Sequence, residues 1–256
     1  HYSIPASIGA EVVPLMLRAD DGFLPDLDAL RALVTPGTKM IAINNPNNPT
    51  GALMDQKMLE EIAGIAREVG AYILCDEVYR GTDQAGTGMT VSIADVYEKG
   101  MSKAFSLAGL RLGWVAGPSE VIEAVSVHRD YDTISVGKLD DYFAALALEN
   151  RDRVLARSQR ITRENLGLLA DWVAAEPGID WIKPKSGTVT LLKYDAPVGS
   201  HEFCVRLMEE EGVLFTPGSA FDMEGYIRIG FANPKAELKA GMQRESAFKQ
   251  RLKRSW

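Results

Sequence analysis

The stretch Ala71-Tyr72-Ile73-Leu74-Cys75-Asp76-Glu77-Val78-Tyr79-Arg80 is a short, continuous apolar run that ends abruptly in a polar cluster. A run of this kind reads as a strand buried on both faces, and such strands belong to parallel sheets flanked by helices. Gly70 precedes it, and before that Leu59, Ile62, Ala63, Ala66 and Val69 recur at helical spacing within residues 55–69. A second apolar strand is expected at residues 39–43. Strand, helix, strand in this rhythm indicates βαβ units with a parallel sheet. Right-handed crossovers then bring the carboxyl ends of the strands to one edge, where open α/β sheets collect ligands.

Working outward, residues 11–17 (EVVPLML) read as a strand interrupted by Pro14, which suits an edge. Asp26 caps a helix running to Val34, which Pro36-Gly37 stops. The strand at 39–43 ends in Asn44-Asn45-Pro46-Asn47-Asn48-Pro49-Thr50-Gly51, a segment whose prolines and asparagines favour turns. Residues 95–101 (DVYEKGM) are expected to form another strand, delivering Ser102 and Lys103 to the same edge. Arg111 then opens a strand over 112–116. Helix is expected over 120–128 and over a long region from 140 to 175, broken near Asn150-Arg151-Asp152. From Ile179 the pattern changes to short strands (181–182, 188–194, 213–215, 226–231) around a helix at 201–211, closed by an amphipathic helix at 235–252. Strands and helices mixed at these lengths indicate an α+β region. The chain is therefore divided into a major domain, 1–150, and a connecting helix with a small C-terminal domain, 151–256.

Composition narrows the function classes. The 256 residues are 46% hydrophobic and 25% charged, an ordinary globular balance. A net charge of -7, from 35 acids against 28 Lys plus Arg, argues against nucleic acid as the main partner. Cys75 and Cys204 lie far apart in apolar runs, as buried thiols of a reducing, cytoplasmic compartment would. Three scattered histidines make no metal site. No apolar run reaches the roughly 18 residues a membrane span needs. The chain opens on His1-Tyr2 without a methionine or a charged leader, as if entered part-way through a domain.

Lys103 lies in Met101-Ser102-Lys103-Ala104-Phe105-Ser106-Leu107-Ala108-Gly109-Leu110-Arg111. In so small and apolar a setting an amine loses hydration, its pKa falls, and it can act as a nucleophile or Schiff-base partner. On this stretch alone a solvated surface lysine is an equal alternative.

Four segments together carry a resemblance. Asn44 to Gly51, Asp76 to Tyr79, Ser102-Lys103 with Arg111, and Tyr226-Ile227-Arg228-Ile229-Gly230 occur in the order and approximate spacing of the class I/II pyridoxal-phosphate (PLP) aminotransferases of fold type I. The resemblance implies an α/β fold with a mainly parallel sheet in the major domain and a smaller C-terminal α+β domain. It implies PLP as cofactor, Lys103 as the Schiff-base lysine and proton carrier, and Asp76 as the carboxylate facing the ring nitrogen. Tyr79 and Asn48 resemble the residues that hydrogen-bond the phenolic oxygen, and the Asn48-Pro49 peptide is expected to be cis. Arg111 and Ser102 would hold the phosphate, and Arg228 the substrate α-carboxylate in a forked pair, with Asn48 beside it. Taken locally, the same residues read as a helix cap (Asp76), a core tyrosine (Tyr79), a turn asparagine (Asn48) and a surface strand arginine (Arg228).

The chain departs from the family pattern in two places. Gly100 stands where many relatives carry a phosphate-binding serine, so that contact is expected to be either missing or transferred to Ser102. The glycine-rich phosphate loop and the ring-stacking aromatic found in relatives have no counterpart upstream of Asn44, and Tyr2 is not assigned to the stacking role. The implied reaction is amino transfer between an α-amino acid and a 2-oxo acid, in a homodimer. The same residue set also serves carbon-sulfur lyases and amino-acid cyclases, and a non-catalytic PLP- and effector-binding module is a further alternative.

Overall fold

The structure, a computed structural model, describes residues 3–86, 89–98, 100–104 and 111–254, with the backbone alone for 100–104 and 253–254. In chain order it forms α1 (Ser3–Ser7), α2 (Leu27–Leu33), β1 (Met40–Asn44), α3 (Gln56–Val69), β2 (Tyr72–Glu77), α4 (Ile93–Val96) and β3 (Gly100–Ala104). There follow α5 (Ser119–Arg129), α6 (Lys138–Glu149), α7 (Arg151–Ala175), β4 (Ile179–Asp180), β5 (Val189–Tyr194), α8 (Ser200–Glu211), β6 (Thr216–Pro217), β7 (Tyr226–Gly230) and α9 (Lys235–Arg254).

Local chemistry sets the helix ends. Asp26 accepts from the amides of Asp28 and Ala29 at the start of α2, and Asp55 accepts from Met58 at the start of α3. Gly70 closes α3 at φ 70°, the left-handed conformation glycine adopts without a Cβ penalty. The apolar stripe of α3 then packs Leu59, Ile62, Ala63 and Ala66 on Ile41, Ile73 and Cys75 of the first sheet.

That sheet has the order β1-β2-β3, all parallel. The expected burial of both faces holds for one of them. Ile73, Cys75 and Glu77 are buried on the side of α3, whereas Met40 and Leu74 on the other face are 47% and 39% exposed. The second sheet is antiparallel, with order β4-β5-β7-β6, and its core is built with α7, α8 and α9 from Leu166, Leu169, Leu192, Phe203, Leu207, Ile227 and Phe248. Helix α7 bridges the two sheets. Its Gln159 and Arg163 bind the carbonyls of Gly81, Asp83 and Gly86 beyond β2, while Asn165 binds those of Phe231 and Asn233 beyond β7.

Several expected strands fall elsewhere. Residues 11–17 form no strand, and Val12, Val13 and Met16 are exposed there. The strand expected over 95–101 begins at Gly100, because Ser92 and Asp95 form a capping box that starts α4 in its place. Residues 112–116 hold only an isolated bridge at 116. The strand expected at 181–182 lies at Ile179–Asp180, and the amide of Trp181 turns instead to the Asp180 side chain. That at 213–215 begins at Thr216, because the Val213 amide closes the end of α8 on Leu207. Both cysteines are buried free thiols.

Candidate functional site

Register assembles the first part of the site. Asn44 of β1 pairs with Asp76 of β2, and Asp76 pairs with Lys103 of β3. Partners in parallel strands share a face, and neighbouring strands lie about 4.8 Å apart, so these three positions form one row at the carboxyl edge. They lie on the same face as Leu74, the one opposite α3. The side chains of Ser102 and Lys103, and residues 105–110 after them, lie outside the described residues.

A hydrogen-bonded relay leads away from this row. Asn44 Nδ2 donates to the Asp76 carbonyl at 2.7 Å, and Asn44 Oδ1 accepts the amide of Asn48 at 2.6 Å. Asn48 Oδ1 in turn accepts Arg228 Nη1 at 3.1 Å, joining positions 180 residues apart. Arg228 Nη2 donates to Thr216 Oγ1 at 3.0 Å, and its guanidinium lies 5.0 Å from the centre of the Phe221 ring.

The loop carrying Asn48 is held by its own side chains. Asn45 exchanges two hydrogen bonds with the backbone of Met54, and Asn47 Oδ1 accepts from the amide and hydroxyl of Thr50. The Asn45-Pro46 and Asn48-Pro49 peptides are both cis. Gly51 closes the loop at φ 71°, and its carbonyl accepts the amides of Lys185 and Ser186 from the second sheet's side. A Cβ here would collide with Pro184 Cβ and come within 2.9 Å of the Ser186 carbonyl oxygen, so glycine is required.

Asp76 is half-buried, and its Oδ1 accepts the Val78 amide at 3.1 Å, which turns the chain at the end of β2. Tyr79 follows in that turn, half-buried, with its carbonyl bound by the amide and hydroxyl of Thr82. Glu77 points to the opposite face, and burial pushes its carboxyl above the ordinary range. Arg111 is exposed with φ 50°, and the relay from Asp76 to Arg228 is formed without it.

Of the residues expected from sequence, Asn48, Asp76, Lys103 and Arg228 are thus brought together by register and hydrogen bonding, with Tyr79 in the adjoining turn. The link residue Asn44 and the Arg228 partners Thr216 and Phe221 were not singled out. Asn44 opened the quoted asparagine segment, but no local signal marks Thr216 or Phe221, which meet Arg228 only through strand pairing and the turn after it.

The family model for "Aminotransferase class I and II" matches residues 1–244. The chain belongs to that family. Among aminotransferase relatives it is 30% identical over 246 residues to the aspartate/prephenate aminotransferase of Thermus thermophilus, covering 92% of this chain and 63% of that protein. It is 32% identical over 244 residues to the capreomycidine synthase of Streptomyces vinaceus, covering 93% of this chain and 63% of the relative. The crystal structure of a PLP-dependent aminotransferase from Streptococcus suis superposes with a TM-score of 0.93 at 42% identity, covering 98% of this chain and 68% of that one. The fold is therefore that of the PLP-dependent aminotransferases, and the chain spans 63% of the length of these two curated relatives.

Proposed function

We propose that the protein works as a PLP-dependent aminotransferase that moves an amino group between an α-amino acid and a 2-oxo acid. The observation carrying this reading is the row Asn44, Asp76, Lys103 joined through Asn48 to Arg228. The donor set suits the cofactor: a carboxylate anchored at a strand end, a lysine one strand away, and an arginine whose two bonded nitrogens leave further N–H groups for a carboxylate. Bound PLP supplies an electron sink for the bonds at the substrate α-carbon.

The chain's own residues do the rest in this reading. Asp76 would keep a proton on the ring nitrogen of bound PLP, and Lys103 would hold the cofactor and serve as base and acid for the proton at the substrate α-carbon. The Tyr79 hydroxyl and Asn48 Nδ2 would donate to the phenolic oxygen of PLP, while Ser102 and Arg111 would hold its phosphate. Arg228 grips the α-carboxylate, held in place beforehand by Asn48, Thr216 and Phe221, so less ordering remains for the substrate to impose. The division at 150/151 belongs to the same proposal, as does a homodimer. Tyr131, Leu139 and Tyr142 around the α5–α6 turn are 90%, 73% and 63% exposed, which favours a partner surface there. No helix among the described residues is long and apolar enough to cross a membrane, and the free thiols Cys75 and Cys204 favour a cytoplasmic setting.

Similarity to a protein named as a synthase supports a second reading, in which the same residues serve a cyclase or a carbon-sulfur lyase. Borohydride reduction followed by peptide mass analysis should place PLP on Lys103. A donor screen should then give amino transfer that depends on a 2-oxo acid. Ammonia release without an acceptor would favour the second reading, and PLP binding without turnover would leave an effector-binding module.

A further inference from the structure

Glu77 adjoins Asp76 but faces the other way, into the buried side of the sheet, and is only 2% exposed. Its Oε1 accepts the Ser92 hydroxyl at 2.9 Å and the Ile93 amide at 2.7 Å. Its Oε2 lies 3.9 Å from Arg80 Nε and has no hydrogen bond among the described residues. Arg80 Nε donates to the Thr90 carbonyl at 2.7 Å, and Arg80 Nη2 lies 3.8 Å from Asp95 Oδ2, which accepts the Ser92 amide at 3.1 Å. The circuit closes through the backbone, where the Arg80 amide donates to the Glu77 carbonyl at 2.8 Å.

This ring spans the two segments that must be aligned for the proposed chemistry. One side is the turn 76–80 bearing Asp76 and Tyr79, and the other is α4, from which the chain runs into β3 and Lys103. The Ser92–Asp95 capping box serves the Ala94 and Ser92 amides, and Glu77 adds the Ile93 amide, tying the start of α4 to the end of β2. Burying a carboxylate beside that box costs stability relative to an apolar side chain, so what it contributes lies in fixing one arrangement.

We infer that Glu77 is a positioning residue, which clamps the Asp76–Tyr79 turn to the segment leading to Lys103 and so sets the spacing between the groups that hold the cofactor. This inference rests on the cofactor roles proposed above for Asp76, Tyr79 and Lys103.

The test uses the full-length protein with Glu77→Ala, Glu77→Gln and Ser92→Ala. Two readouts are taken: PLP affinity, and the midpoint of the pH titration of the bound cofactor's visible absorbance. Losing alignment with the Tyr79 hydroxyl weakens its support of the phenolic oxygen, so the Ala variant should move the midpoint upward by about half to one pH unit. Its PLP affinity should fall by roughly tenfold or more. The Gln variant, whose amide oxygen still accepts from Ser92 and Ile93, should stay near wild type on both. Ser92→Ala should shift both readouts in the Ala direction, by less, and it decides the matter if Glu77→Ala does not fold. An Ala variant with a lower melting temperature but wild-type affinity and midpoint would overturn the inference alone. A wild-type protein that takes up no PLP would overturn the functional reading together with it.

Discussion

Replacing Glu245 by glutamine should remove a pH dependence from stability that the fold itself creates. Glu245 lies on α9 with 0% exposure, and neither carboxylate oxygen has a hydrogen bond among the described residues. The cation that acts on it is engaged with another carboxylate, since Lys249 Nζ lies 2.8 Å from Glu176 Oε1 at the end of α7. Glu176 also accepts from Ser246, whose hydroxyl in turn accepts Trp172 Nε1. Desolvation, and secondarily the Glu176 carboxylate, outweigh the attraction of Lys249 and push the Glu245 carboxyl from 4.5 up to about 7. From α8, Phe203, Cys204 and Leu207 join the same core, and the Cys204 thiol, raised to about 12 by burial, stays protonated throughout the range. Between pH 4.5 and 7 the folded protein therefore keeps a proton that the unfolded chain releases. The stabilisation is complete below 4.5 and is lost as pH rises through 7, to the extent of about 3 kcal/mol. Glutamine cannot ionise, so the difference in urea unfolding free energy between Glu245→Gln and wild type should be nearly constant below pH 4.5. It should then shift by about 3 kcal/mol in the variant's favour by pH 8. Titrating groups that do not interact with Glu245 cancel in that difference. A difference that stays flat from pH 4.5 to 8 would show that Glu245 is solvated or paired, and the reasoning would fail.

Two further substitutions test the relay and its loop. Arg228→Lys exchanges a planar fork for a point charge and should weaken amino-acid binding by roughly 10- to 100-fold while PLP affinity holds. Unchanged amino-acid affinity would remove Arg228 from the carboxylate role. Gly51→Ala forces a Cβ into Pro184 at φ 71° and should cost about 2–4 kcal/mol in chemical denaturation. A loss below about 1 kcal/mol would show that the loop yields easily.

The parts of this fold that could be read from sequence are those set by local chemistry. Asp55 and Gly70 bracket α3 by their own hydrogen bonds and backbone preference, so the βαβ unit was visible without knowing any neighbour. The departure from a strand over 95–101 has the same kind of cause: the Ser92-Asp95 capping box turns 93–96 into helix. Exposure of Met40 and Leu74 was beyond reach, because an apolar run does not say which of its faces is covered. Within the site, Asn48, Asp76, Lys103 and Arg228 were legible through the order of four motifs. Thr216 and Phe221 were not, since they meet Arg228 only across the second sheet.

The chemistry of the relay also fixes its direction. Arginine offers donors only, so Asn48 must present Oδ1 to Arg228, and its Nδ2 then faces elsewhere as a donor. Asn44 is oriented in the same way: its Oδ1 is claimed by the Asn48 amide, and its Nδ2 by the Asp76 carbonyl. Neither amide can flip without setting donor against donor or acceptor against acceptor. The Nδ2 of Asn48 belongs to the residue placed between the lysine row and the arginine, where the proposed reaction needs a donor to an anionic oxygen. A change at Arg228 that freed Asn48 to flip would turn that donor into an acceptor. In the proposed reading the carboxylate end and the cofactor end of the site are therefore coupled through one amide, and an ionised aspartate at position 48, which only accepts, could not supply the donor.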